Sequence, residues 1–417
     1  MNDVVTIDDL DAPRFPEEVV PILAMMAEAG RDLTLDPEAL LAAASEQTGL
    51  DDFGDPSFRG RLDLLCRCLT TEVRLSPGGV AGQAAMITGL LKNRLLIEDL
   101  VGRHPEILGI EIARPIVICG LPRTGTTHLH NLMSADPALR SLPYWESLEP
   151  VLGAAEAQEN RWARTEQSVW FINTAMPYFK RMHEMTVDHV HEEIQLLAID
   201  FSTMLFETVA PMPTWRDVYM ARDQRPSYAY LKKILQVLTW LRGGDRWVLK
   251  SPQHLEQFPA LLDTFPDATF VVTHRDPVSV SASLATMIAY GARTSHSPVD
   301  PIAIGRYWGD RIERMLRRCV DDRDALPADR SVDVLFDEFM ADDMAMVERI
   351  YDLACQPMTA AGRQAMAGFM ASHPRGRFGA VRYDPAQVGL DRDERRVALQ
   401  FYVDRFGVKI EGDEAGG

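Results

Sequence analysis

The segment Gly120-Leu121-Pro122-Arg123-Thr124-Gly125-Thr126-Thr127 concentrates residue types that bind an anion. Two glycines five positions apart let the backbone curl until successive N–H groups converge, and a helix starting behind them adds its positive end. Thr126 and Thr127 bring hydroxyl donors, and Arg123 is the loop's cation. The chemistry this suits is phosphate or sulfate binding. An ordinary nucleoside triphosphatase loop carries lysine directly after the second glycine, and here Thr126 takes that place.

A second cationic segment is Thr273-His274-Arg275-Asp276-Pro277, with Ser283 nearly two helical turns on. Asp276 has the character of an N-cap and Pro277 of a first helical residue, which leaves Arg275 at the end of the preceding strand. Ligands of open α/β sheets bind at that edge. Lys250 ends another apolar run. Moving a charged group from donor to acceptor needs positioned donors and cations, here the Thr127 hydroxyl with Arg123 and Lys250, and a base for the acceptor's proton. Three places offer the base: Glu146 in Pro143-Tyr144-Trp145-Glu146, His254 in Lys250-Ser251-Pro252-Gln253-His254, and Glu192 or Glu193 in His191-Glu192-Glu193. No Asp/Glu cluster at ligand spacing converges near the loop, so no metal is expected.

These groups need a scaffold. Pro115–Gly120 is a short apolar, β-branched run stopped by glycine, the pattern of a strand buried on both faces of a parallel sheet. Arg246–Lys250, Ala268–Thr273 and Val332–Phe336 repeat it. Helical patterns lie between and before them: Pro37–Ala44 behind Asp36, Gly78–Leu100, His128–Met133 and Pro226–Leu241. The fold class expected is α/β, a P-loop-like parallel sheet flanked by helices. Residues 1–110 form a helical N-terminal region and 111–410 the α/β domain; within it, about 151–223 is a helical insert, and 411–417 is a polar tail. The insert is rich in Met and aromatic residues, among them Met176, Met182, Trp170 and Phe179. Such side chains suit either a lipophilic pocket or the packing of a helical cap.

A net charge of −18 disfavours nucleic acid as a partner, although cations gathered locally still admit an anionic cofactor. The five cysteines show neither disulfide framework nor zinc spacing and read as reduced thiols. No apolar stretch is long enough to cross a bilayer, and no basic-then-apolar leader opens the sequence, so a cytoplasmic protein is expected.

Pro122–Thr127 matches, at every position, the 5′-phosphosulfate loop Pro-(Lys/Arg)-(Ser/Thr)-Gly-Thr-Thr of sulfotransferases that use 3′-phosphoadenosine 5′-phosphosulfate (PAPS). From about Asp51 to Gly407 the chain resembles the bacterial, longer-chain branch of that superfamily. The resemblance implies that PAPS is the co-substrate, held by Pro122, Arg123, Thr124, Gly125, Thr126 and Thr127, and that the enzyme sulfates a hydroxyl or amine of a small acceptor. It implies that Arg275 and Ser283, eight apart, bind the 3′-phosphate. Phe336 replaces the usual tyrosine beside adenine, and His373-Pro374-Arg375-Gly376-Arg377 resembles the basic glycine segment that closes on the 3′-phosphate through Arg375 or Arg377. The family's lysine falls on Lys250. Members that sulfate tyrosyl or sugar hydroxyls have a catalytic glutamate near the position of Glu146. The cytosolic branch has its histidine two residues after the lysine, where this chain has Pro252, with His254 two further on. Two other readings stay open: a P-loop kinase or NTPase, drawing on Asp337-Glu338 after an apolar run, and a nucleotide sensor without catalysis.

Overall fold

The computed structural model describes residues 3–154 and 156–412. Among these, the apolar runs become strands and the periodic stretches helices, as the patterns predict. Six strands form: β1 (Val4–Thr6), β2 (Ile116–Cys119), β3 (Val248–Ser251), β4 (Thr269–His274), β5 (Ser331–Leu335) and β6 (Ala380–Arg382). Four of them make a parallel sheet in the order β3-β2-β4-β5. β2, β3 and β4 are buried at every residue, whereas β5 at the edge buries only Val332 and Val334. Alternation thus marks a strand covered on one face only, and full burial marks one covered on both, as at β3 even though it is the sheet's other edge. β1 and β6 pair separately, in parallel, as a two-stranded ribbon that the sequence reading does not foresee.

Register brings the chemistry together. Ile116 stands opposite Val248 on one side and Thr269 on the other, so Cys119, Ser251 and Val272 end level along one edge. The loop Gly120–Thr127, Lys250 and Arg275 all lie at that edge. The helix Thr126–Ser134 follows β2, and Pro277–Ala292 follows β4, capped by Asp276 accepting from the Val278 N–H at 3.1 Å.

Segment 151–223 is helical only in part: Gln158–Ala175, Ile194–Ala198 and Pro213–Ala221 are separated by irregular turns. Buried ion pairs hold it in place. Arg311 forms paired hydrogen bonds to Glu256, just after β3, at 2.6 and 2.7 Å, and reaches Glu207 of the insert at 2.9 Å. Asp200 of the insert receives Arg94 Nη1 at 3.0 Å, from the long helix Pro77–Arg103. Phe58 stacks on Phe201 with ring centres 6.0 Å apart, so the N-terminal helices and the insert share apolar packing. Cys66, Cys68, Cys119 and Cys319 are buried free thiols, and Cys355 is exposed. No helix among the described residues is long and apolar enough to cross a membrane.

Candidate active site

Both loop glycines are required by close approach. A β-carbon on Gly120 would lie 1.9 Å from Thr273 Oγ1, and Gly125 has φ +86° with the Phe336 ring 3.3 Å from where a β-carbon would sit. Between them Arg123 takes φ +73°, a conformation that costs a non-glycine residue about 1–3 kcal/mol. Fixed contacts hold that strain. Thr124 Oγ1 donates to Leu121 O at 2.7 Å and shares a hydrogen bond with Thr273 Oγ1 at 2.7 Å, tying the loop to β4. Arg123 Nε donates to Ser283 Oγ at 3.0 Å, Nη1 to Met182 O, and Nη2 to Tyr383 Oη at 3.5 Å.

Arg275 arrives from the neighbouring strand end and donates from Nη1 to Arg123 O at 2.9 Å. Its guanidinium carbon lies 4.1 Å above the Phe336 ring centre. The fork faces Glu411, with Nε and Nη2 donating to its two carboxylate oxygens at 2.6 and 3.0 Å. Arg123, Ser283, Arg275 and Phe336 therefore converge, although 213 residues separate the first from the last in the chain. Lys250 is buried; its backbone N–H donates to Glu193 Oε2 at 2.6 Å, and its ammonium pairs with Glu192.

A cavity of about 1010 Å³ opens at this edge. Pro122, Thr126, Thr127, Arg275 and Phe336 line it, as do the apolar Phe171, Met176, Phe179, Leu205, Val209 and Met287. Arg375 and Arg377 stand on its rim, the first donating to Met340 O and Asp343, the second to Ser372 O and Glu184.

Five of the residues expected at the site, Glu146, Thr124, Lys250, His254 and Ser283, do not line the cavity. Glu146 does not line the cavity: it is 1% exposed, and its carboxylate is clamped by Arg140 at 2.6 Å and Arg242 at 2.9 Å. A carboxylate so paired is a structural anchor. His254 is fully buried, hydrogen-bonded through Nδ1 to Tyr228 Oη at 2.9 Å and 3.5 Å from Glu193, and burial pushes its pKa down to about 3. Thr124, expected among the cofactor ligands, spends its hydroxyl inside the loop. Of the candidate bases, Glu192 lines the cavity, whereas Glu193 points inward and burial raises its pKa well above the usual carboxylate value. Tyr383 and Glu411 reach the site without any signal in the sequence: Tyr383 follows a three-residue strand, and Glu411 stands in a segment read only as a polar tail.

The model of the Sulfotransferase family matches residues 115–360. The crystal structure of sulfotransferase STF9 from Mycobacterium avium is 27% identical with a TM-score of 0.81, covering 91% of this chain and 99% of that one. Sulfotransferase STF1 from Mycobacterium tuberculosis H37Rv is 28% identical with a TM-score of 0.76, covering 87% and 97%. No curated protein sequence matches. A family match over more than half of the chain, on a fold shared almost end to end with two sulfotransferases, shows that the chain belongs to the sulfotransferase family and is an enzyme of that class.

Proposed function

We propose that the enzyme moves the sulfuryl group of PAPS to a hydroxyl, or an amine, of a small lipophilic acceptor. The observation that carries this reading is the junction of two anion sites: Arg123 of the Gly120–Thr127 loop bonds Ser283, and Arg275 bonds the carbonyl of Arg123. A donor with a phosphosulfate at one end and a 3′-phosphate at the other fits such a pair, with Phe336 available to stack on adenine.

In this reading the loop N–H groups, Thr126 and Thr127 hold the 5′-phosphosulfate, and Arg123 and Lys250 stabilise charge on the bridging and sulfuryl oxygens. Arg375 and Arg377 close the rim. Glu192, at the cavity wall beside Lys250, takes the acceptor's proton as the acceptor oxygen bonds to sulfur and the sulfur–phosphate bridge breaks. Binding sites for one small molecule occupy about 300–1,000 Å³. The cavity's volume, at the top of that range, and a lining that includes both anion-binding and apolar side chains support a donor and a lipophilic acceptor together.

A kinase reading draws on Asp337 and Glu338 as magnesium ligands, but both are exposed and neither lines the cavity. Calorimetry separates the two. Tighter binding of 3′-phosphoadenosine 5′-phosphate than of ATP with Mg²⁺ is expected, and the opposite order overturns the PAPS reading.

A further inference from the structure

Outside the groups used above, three histidines meet beside the cavity, and two of them, His183 and His191, line it. Residues 189–191 run extended, their backbone bonded to that of residues 142–144 through Tyr144 N to His189 O at 2.8 Å and His191 N to Leu142 O at 2.7 Å. Alternate residues of an extended segment face the same way, so His189 and His191 present their rings together. His183 joins them from the turn that follows Phe179–Arg181. The ring centres of His183 and His189 are 4.9 Å apart and those of His189 and His191 5.7 Å, and one nitrogen from each of the three lies within 4.8 Å of the others.

None of these ring nitrogens has a hydrogen-bond partner among the described residues. In His191, which is 7% exposed, both nitrogens are buried and unpartnered. Leaving them so costs free energy that a native structure normally recovers with a ligand, a water or a hydrogen bond. Three imidazoles close enough to converge, yet bonded to nothing, have the character of a ligand set.

We propose that His183, His189 and His191 bind a transition-metal dication of the zinc class, with its remaining coordination position open to the cavity. Zinc–nitrogen bonds are ~2.0–2.1 Å, which places tetrahedral ligands about 3.4 Å apart, so the rings need only small side-chain rotations to close on an ion. An all-imidazole set selects zinc, cobalt, nickel or copper over magnesium and calcium, which prefer oxygen. Three protein ligands with one position free is the arrangement of reactive rather than purely structural zinc. His183 and His191 line the cavity beside Glu192 and Arg123, so the open position faces the space where the acceptor is placed above. Lys250 stands nearby and opposes a dication; its pairing with Glu192 offsets part of that charge. A bound ion in this position would polarise an acceptor oxygen.

Metal binding itself does not depend on PAPS being the donor, and the test needs no turnover. Untagged protein is stripped with a chelator, dialysed and titrated with Co²⁺ while its visible absorption is recorded. One equivalent is expected, with the visible absorption bands of a four- or five-coordinate nitrogen-bound ion, displaced by one equivalent of Zn²⁺. His189→Ala and His183→Ala should each weaken Co²⁺ binding at least tenfold. Because His191 is more deeply buried, His191→Gln serves as a third variant, its fold checked by circular dichroism. Absence of stoichiometric Co²⁺ binding in the parent overturns the site, as does parental affinity in both His183→Ala and His189→Ala.

Discussion

The contact between Arg275 and Glu411 yields a sharp quantitative prediction. Arg275 is the residue assigned to the 3′-phosphate, and here its fork is filled by a carboxylate in a two-point pair, with side-chain exposures of 11% and 16%. A phosphate binding there must first displace Glu411. A charge-assisted hydrogen bond contributes about 1.5–3 kcal/mol net; the released carboxylate regains water, so displacement should cost ~1–2 kcal/mol, or roughly 5–30-fold in affinity. Glu411→Gln keeps the shape of the side chain and leaves the backbone bond from Glu411 N to Asp276 intact at 2.9 Å. Calorimetric titration with 3′-phosphoadenosine 5′-phosphate should therefore show roughly 5–30-fold tighter binding to the variant than to the parent. Titration with adenosine 5′-phosphosulfate, which has no 3′-phosphate, should show little change. Unchanged or weaker binding of the bisphosphate to Glu411→Gln would refute the assignment of Arg275 as the residue Glu411 blocks.

Four further outcomes follow from the same geometry. Arg275→Ala should weaken bisphosphate binding by about 1.5–3 kcal/mol, measured by calorimetry, because a charged two-point contact is lost. Lys250→Met should lower kcat by about 10²–10³-fold, the loss typical of a preorganised transition-state donor, while equilibrium binding of the bisphosphate changes far less. Glu146→Gln should act on stability: breaking a buried charge pair costs about 3–5 kcal/mol, so thermal unfolding should shift down while turnover of the folded fraction stays near the parent's. The fourth concerns acid. Burial alone would raise Asp333, but hydrogen bonds from His274 and Arg323 carry its pKa down to about 2. A carboxyl lowered on folding stabilises fully above its unfolded value of 3.8, and that contribution fades as pH falls from 3.8 through about 2. Denaturant unfolding of Asp333→Asn against the parent should show a stability difference that shrinks over this window.

The sequence was most informative where one physical requirement fixes many residues. A strand buried on both faces must be apolar along most of its length, so β2, β3 and β4 stand out as runs, and the glycines and threonines of the loop after β2 have no simpler explanation. Asp276 and Pro277 marked a helix start, and the strand before it placed Arg275 at the sheet edge. The catalytic base was harder to read, because a glutamate's role depends on its partners. Glu146 and Glu192 look alike in sequence, but Arg140 and Arg242 enclose the first while the second meets Lys250 at the cavity. His254 sits near the right lysine in sequence and still turns into the core against Tyr228. Glu411 and Tyr383 reach the site from far along the chain, through tertiary contacts that no local pattern encodes.

Sulfuryl transfer from PAPS, bound where Arg123 meets Arg275, is the proposal on which the other assignments rest. Its most direct test is incubation of the protein with PAPS labelled at sulfur and a panel of lipophilic alcohols, phenols and amines. Release of 3′-phosphoadenosine 5′-phosphate should match labelled organic product one for one, and both should collapse in Lys250→Met. Labelled product formed equally by Lys250→Met, or no product with any acceptor from a parent that binds PAPS, would contradict the claim.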